Sequence, residues 1–315
     1  MSGSSDVVVS VRELRKTFRI GFLRKRVEAV RRADFEVFRG ETFGLVGPNG
    51  AGKTTTLKML MGLIRPDAGT ATIFGEDVGT PAARARLGFL PETPHFYDYL
   101  RADELLSYFG HLYGLESSVV RKRVPELLEL VGLDNIEGKQ LRKFSKGMLQ
   151  RVGLAQALLP DSELVVLDEP QSGLDPLGRR DVRLIIESLK ARGKTVLFSS
   201  HILPDVEQIC DRVAIIAQGE VRKVGRIHEL VDFSLRDVEV VLMVEDEVRA
   251  ALSPLASSVA VESAGSTRFT LAPTVDVDAF VRAAHAQGGR LVSLTRHRQR
   301  LEDVFVAAAT DGRNP

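Results

Sequence analysis

A chain of 315 residues with 44% hydrophobic and 27% charged side chains has the composition of a folded globular protein, long enough for about two domains. Its 43 basic and 42 acidic residues leave a net charge of +1, which argues against a protein whose main partner is bulk nucleic acid. One cysteine, Cys210, excludes an internal disulfide and a thiolate metal cluster, and sets the expectation of a reducing compartment.

The apolar runs at 7–9, 43–46, 164–167 and 213–217 fall far short of the roughly 18–20 residues that span a bilayer. The first six residues lack the charged-then-apolar plan of a signal peptide. Any membrane role is therefore expected to require a separate membrane partner.

Val7, Val9 and Val11 alternate with less apolar residues, and Phe35, Val37 and the run 43–46 continue a strand-rich start. From Lys53 the period changes: Leu57, Leu60, Met61 and Ile64 recur at helical spacing until Arg65-Pro66-Asp67 stops them. Residues 100–159 carry helical faces, one of Leu105, Leu106 and Phe109 and another of Val124, Leu127, Leu128 and Val131. The run 164–167 reads as a strand buried on both faces, and 195–198 as another, just before Ser199-Ser200-His201. Strands alternating with helices predict an α/β fold with a largely parallel sheet.

The composition shifts near residue 232. Residues 232–315 hold nine arginines, no lysine and twelve acidic residues, a net charge of −3 that leaves +4 for residues 1–231. Strand 238–244, helix 248–255, strands 259–262 and 268–271, helix 277–287 and strand 291–295 are predicted in turn. That β-α-β-β-α-β order predicts a small α+β, ferredoxin-like domain at 232–315, closed by a last helix at 301–309.

Gly47-Pro48-Asn49-Gly50-Ala51-Gly52-Lys53-Thr54 fits G-x-x-x-x-G-K-[ST], between a predicted strand and a predicted helix. Glycines there let backbone N–H groups form an anion nest at a helix start, so residues 47–55, including Thr55, are candidate nucleotide-binding positions. Lys53 is placed to reach the β- and γ-phosphates and the Thr54 hydroxyl to ligate Mg²⁺. The run 164–167 then delivers Asp168 and Glu169 to its C-terminal end, where ligands sit in open α/β sheets. Asp168 is the candidate metal ligand and Glu169 the candidate base for a water attacking the γ-phosphate.

With these motifs in order, the sequence resembles the nucleotide-binding subunit of ATP-binding cassette (ABC) transporters over residues 7–228. Phe144-Ser145-Lys146-Gly147-Met148 resembles the family's LSGGQ signature, with Phe for Leu, Lys146 for the first Gly and Met148 for Gln. The resemblance implies a P-loop NTPase cassette at 1–231 with a RecA-like core, an antiparallel β subdomain and a helical subdomain at about 93–159. It implies an ATPase using ATP and Mg²⁺, with two subunits packed head to tail. In that arrangement Ser145, Lys146 and Gly147 act in trans on the nucleotide of the other subunit. Ser172-Gly173-Leu174-Asp175 resembles the D-loop, with Asp175 at its end, and His201 resembles the switch histidine at the γ-phosphate. Phe18 resembles the aromatic that stacks on adenine, with Phe22 as its rival, and either can equally be a core or loop aromatic. Glu92 stands where the family's Q-loop has Gln and is a candidate Mg²⁺ contact.

All four tyrosines, Tyr97, Tyr99, Tyr108 and Tyr113, follow Glu92 within a segment that the resemblance makes the seat of the permease's coupling helix. Phe96, Tyr97 and Tyr99 are the expected permease contacts. The basic stretch from Arg12 to Arg32 reads either as a sheet edge protected by charge or as a region near anionic lipid. Leu301-Glu302-Asp303-Val304-Phe305 resembles the ending of ATPases that serve ABC-2 type exporters. The expected partners are therefore an ABC-2 type permease and a second copy or homologous ATPase, at the cytoplasmic face of the membrane, with no nucleic acid. A mechanical regulator that moves no cargo, or an ABC ATPase acting on nucleic acid or ribosomes, is the competing class.

Overall fold

The alternating valines at 7, 9 and 11 seed β1 (Val7–Ile20), which runs antiparallel to the equally long β2 (Lys25–Phe38). In the computed structural model the described residues are 6–21, 25–136, 138–231, 235–262, 265–298 and 301–310. Residues 1–5, Phe22, Arg24 and the expected domain start at Asp232 lie outside them. The chain divides into two units, Met1–Ile227 with Phe305–Pro315, and His228–Val304.

In the first unit, β3 (Thr42–Val46) leads through the glycine-rich loop into α1 (Lys53–Leu60). Then come β4 (Ala68–Ile73), β5 (Glu76–Asp77), α2 (Pro81–Ala85) and β6 (Leu87–Leu90). Three helices follow, α3 (Ala102–Leu112), α4 (Ser117–Leu130) and α5 (Lys146–Leu158). The chain returns through β7 (Leu164–Leu167), α6 (Pro176–Ala191), β8 (Thr195–Ser200), α7 (Leu203–Ile209), β9 (Arg212–Ala217) and β10 (Glu220–Arg226), with α8 (Ile227–Leu230) at the junction.

The sheet order is β5-β4-β1-β2-β10-β9-β3-β8-β7-β6. Its two halves differ in kind. The strands β9, β3, β8, β7 and β6 pair in parallel, and every residue of β3, β7 and β8 is buried, as expected when helices cover both faces. The strands β1, β2, β4 and β5 pair antiparallel and form the β subdomain. Phe35 stacks on Phe43 at 5.5 Å between ring centroids, joining the two halves in one core. The C-terminal ends of β3, β6, β7 and β8 lie at the same edge, so the residues that follow each strand converge there.

The α5 helix starts at Lys146, inside the segment that resembles the signature. The Ser145 hydroxyl accepts a hydrogen bond from Met148 N–H at 3.2 Å, and this cap overrides the poor helix propensity of Gly147. Likewise β8 runs on to Ser200, which puts His201 directly at a strand end.

The second unit holds β11 (Leu235–Met243), α9 (Asp246–Leu252), β12 (Ser258–Val261), β13 (Ser266–Leu271), α10 (Val277–Ala286) and β14 (Arg290–Arg298). Its sheet order β12-β13-β11-β14, antiparallel throughout, is the ferredoxin-like arrangement. Val238, Val240 and Leu242 of β11 meet Phe269 and Phe280, whose rings cross at 5.4 Å. The predicted helix 248–255 breaks at Leu252 into a 3-10 turn, Ser253–Leu255, at Pro254. The last helix is α11 (Leu301–Thr310).

Candidate active site

The loop after β3 is shaped by two glycines that no other residue can replace without strain. A Cβ on Gly47 would lie 2.4 Å from the Ile216 carbonyl oxygen, and one on Gly52 would lie 2.5 Å from that of Ala29. Gly52 also has φ of +107°, left-handed geometry that turns the loop into the first residue of α1. With Gly50 and Asn49 exposed above it, the loop borders a cleft of about 420 Å³.

Phe18, Val27, Glu28 and Ala29 line one side of that cleft, Asn49, Gly50 and residues 52–55 its floor, and Glu92 and Glu169 its far side. Phe18 thus lies with the phosphate loop, half-buried, with Lys16 Nζ 5.7 Å from its ring centroid. Phe22, its rival, is outside the described residues. Val27 and Glu28, which the sequence reading did not single out, enter because β2 pairs Val27 directly opposite Phe18.

Lys53 is only 5% exposed, and its ammonium donates to the carbonyls of Gly47 at 2.7 Å and Pro48 at 3.2 Å. It also pairs with Glu169 Oε1 at 3.0 Å. The other oxygen of Glu169 accepts from His201 Nδ1 at 2.8 Å, a pairing that puts a ring proton on Nδ1. Both oxygens of the candidate base are thus held by cationic or N–H groups. Glu169 adopts φ of +48°, a strained setting for a non-glycine residue that the surrounding hydrogen bonds maintain.

Asp168 accepts at one oxygen, Oδ1, from Thr54 at 3.1 Å and from Ser199 at 2.7 Å. The same Ser199 oxygen accepts from Glu169 N–H at 2.9 Å. Ser199 therefore fixes both carboxylates, and it was missed because its role depends on β8 lying beside β7. Burial pushes the Asp168 carboxyl above its usual range, hydrogen bonds from Ser199 and Thr54 oppose that, and the charges of Glu92 and Glu169 reinforce it. Thr54, Asp168 and Glu92 supply hard oxygen donors with more negative charge than the site balances by itself. That donor set fits Mg²⁺, which takes one or two carboxylates and completes its shell with water and phosphate oxygens. No group of three or more His, Cys, Asp or Glu that could hold a metal occurs among the described residues.

Because the folded Asp168 pKa is raised, its ionised form costs stability once pH exceeds that pKa, and the cost vanishes below the unfolded pKa. Asp168→Asn is thus expected to raise the nucleotide-free melting temperature at pH 8, by a few degrees per kcal/mol regained. That gain should shrink as pH falls towards 4. A lower melting temperature than wild type at pH 8 in a calorimetric scan would contradict the assignment of burial as the dominant cause.

The signature residues lie away from this cleft's lining. Ser145 caps α5, Lys146 is exposed, and Gly147 packs on Leu174, with 3.3 Å between a built Cβ and Leu174 Cδ2. Asp175 caps α6 by accepting from Gly178 N–H at 2.9 Å. Phe96 is half-buried, while Tyr97 and Tyr99 are 51% and 59% exposed and form one ring cluster with Tyr108, at 6.0–6.1 Å.

A phosphate-binding loop, a buried lysine, and a strand-end carboxylate pair with a serine and a histidine behind it define a P-loop nucleoside triphosphatase. The sequence pattern of the ABC transporter family matches residues 30–172. Over 302 residues the chain is 46% identical to an uncharacterized ABC transporter ATP-binding protein of Nostoc sp. (strain PCC 7120), covering 95% of this chain and 89% of that one. It is 38% identical over 278 residues to the Nod factor export ATP-binding protein I of Cupriavidus pinatubonensis, covering 87% of this chain and 83% of that one. A solved ATP-binding subunit of an ABC transporter superposes with a TM-score of 0.63 at 33% identity, over 71% of this chain and 91% of that one. The chain belongs to the ABC transporter ATP-binding proteins, and it is an ABC ATPase.

No helix among the described residues is long and apolar enough to cross a membrane.

Proposed function

We propose that two copies of this chain, or one copy and a homologous ATPase, close head to tail around two ATP molecules and drive a separate ABC-2 type permease. The observation that carries this reading is the convergence of Lys53, Thr54, Asp168, Glu169 and His201 at one sheet edge. Similarity to a protein named for Nod factor export favours an exporter. The chain then works at the cytoplasmic face, held there by its permease.

In the mechanism, the backbone of residues 47–55 cradles the phosphates and Lys53 leaves Glu169 to meet the β- and γ-phosphates. Phe18 stacks on adenine. Thr54, Asp168 and Glu92 would hold Mg²⁺, which would supply neutralisation of phosphate charge. Once free of Lys53, the Glu169 carboxylate accepts a proton from the attacking water, and His201 orients the γ-phosphate side of the site. Ser145, Lys146 and Gly147 complete the site of the opposite subunit, and Asp175 holds the loop between them.

The exposed aromatic cluster supplies the permease contact. Tyr and Phe bring large rigid area at small entropic cost, and Tyr97 and Tyr99 are unusually exposed for their size. Replacing Phe96, Tyr97 and Tyr99 together with Ala is expected to abolish co-purification with the membrane subunit while leaving ATP turnover of the isolated chain within about twofold. Undiminished co-purification would move the permease contact elsewhere.

A further inference from the structure

The β1–β2 hairpin outgrows the sheet it belongs to. Among the described residues β4 pairs with β1 no further out than Arg15, and Gly219 and β10 bond to β2 only at Arg31 and Arg32. Beyond them, residues 16–20 and 25–30 pair with each other alone, as a two-stranded ribbon with both edges free. The ribbon rises from the nucleotide cleft, where Ala29 lies against Gly52 of the phosphate loop. From Ala29 out to Lys25 it reaches about 13 Å.

Its charge is of one sign. Residues 14–27 hold six arginines and lysines and no Asp or Glu, a charge of +6 in a chain whose total is +1. Nearer the sheet the bases are matched by acids: Arg12 with Glu36, Arg31 with Glu28, Arg32 with Asp34. Farther out Arg19 stands directly opposite Arg26, with Lys25 beside it, and all three are exposed. Like charges directly opposite destabilise a ribbon, and two strands alone have little stability to spare. Protecting a free edge needs charge but not charge of one sign; an Arg–Glu pair would block the edge and add stability. Repulsion built into the ribbon is relieved when an anionic surface lies against it.

The cleft indicates which surface. Phe18 and Val27 of the ribbon line one side of it and Glu92 the far side. The ribbon and the segment that runs from Glu92 to the exposed Tyr97 and Tyr99 therefore leave the same cleft. A permease seated on those tyrosines is surrounded by lipid headgroups. Nucleic acid fits less well, because the chain outside residues 14–27 is net negative and repels an extended polyanion.

We infer that the outer ribbon docks on anionic lipid headgroups through Arg19, Lys25 and Arg26, a membrane contact of this chain's own that rests on the membrane-facing placement proposed above. The permease then need not be the sole tether. Because the attraction is electrostatic and exposed, salt weakens it.

The full wild-type chain, without nucleotide, is floated with vesicles of phosphatidylcholine alone or with about one-third phosphatidylglycerol. Binding to the anionic vesicles is expected to exceed that to neutral ones by about tenfold or more, and to be lost as salt rises from about 0.05 M to about 0.5 M. R19S, K25S and R26S together should weaken it about 100-fold, at roughly fivefold per charge. R19K, K25R and R26K together should keep it within about threefold, since charge and not side-chain shape is read. The three side chains are exposed, so both variants fold. Equal binding to neutral and anionic vesicles, or anionic binding that survives the serine substitutions, overturns the lipid contact. So does a wild-type chain that ignores vesicles and binds a DNA duplex through the same three residues. Co-purification with the membrane subunit without flotation removes the lipid contact alone. Flotation lost in the serine variant, with no membrane subunit co-purifying, supports the lipid contact and removes the permease reading.

Discussion

Replacing Glu169 with Gln is expected to leave ATP affinity within about threefold of wild type and to lower ATP turnover by about 10²–10⁴-fold, the usual range for removing a general base. The amide keeps the shape, and its oxygen can still accept from His201 Nδ1, which now lies 2.8 Å from the carboxylate. It cannot take a proton from water. The φ of +48° is a property of the backbone between Asp168 and Pro170 and persists in the variant. Steady-state phosphate release and equilibrium nucleotide binding measured on the same preparation separate the two effects. Turnover within tenfold of wild type would remove Glu169 from the role of base.

The second large effect concerns Lys53, which is tied to both phosphate binding and the stability of the empty site. Lys53 and the Glu169 side chain are 5% and 7% exposed, and their ion pair is 3.0 Å long. Breaking such a pair from one side strands the other charge, at a cost of about 3–5 kcal/mol. Lys53→Ala is therefore expected to lower the melting temperature by roughly 10 °C in a unit of this size. It should also weaken ATP binding by about 10–100-fold through the lost charge-assisted contacts. The double variant Lys53→Ala with Glu169→Gln should recover most of the melting temperature and none of the turnover. A double variant no more stable than Lys53→Ala alone, in paired thermal scans, would show that the buried pair carries no stability.

The resting arrangement also offsets part of the site's negative charge. Lys53 neutralises Glu169 while donating to the loop carbonyls of Gly47 and Pro48, and Asp168 is left to burial and two hydroxyls. In the proposed mechanism a nucleotide exchanges these partners for its own phosphates, and Glu169 is released only when there is something to hydrolyse.

The phosphate loop and the strand carrying Asp168 and Glu169 were legible because each is a local pattern. A glycine spacing encodes a backbone nest, and four buried residues before two carboxylates encode a strand end. The ferredoxin-like order of the second unit was legible for the same reason, from alternating periods and short turns. Other features depend on distant partners. Ser199 acquires its place only when Val166 of β7 pairs with Leu197 of β8. The reach of the β1–β2 hairpin was hidden because register shifts between Val11, Leu14, Lys16 and Thr17 break the two-residue alternation that marks a strand. The start of α5 at Lys146 rests on a single hydroxyl, and the packing of Gly147 on Leu174 has no signature in either segment alone.

The central claim is that this chain works as a pair closed by ATP, each copy completing the other's site. Light scattering of Glu169→Gln with and without saturating Mg²⁺–ATP tests it most directly. The mass should double from the 34.6 kDa of one chain when nucleotide is added, and return when nucleotide is removed. A mass that stays at one chain under saturating ATP, in a preparation shown to bind it, would contradict the account.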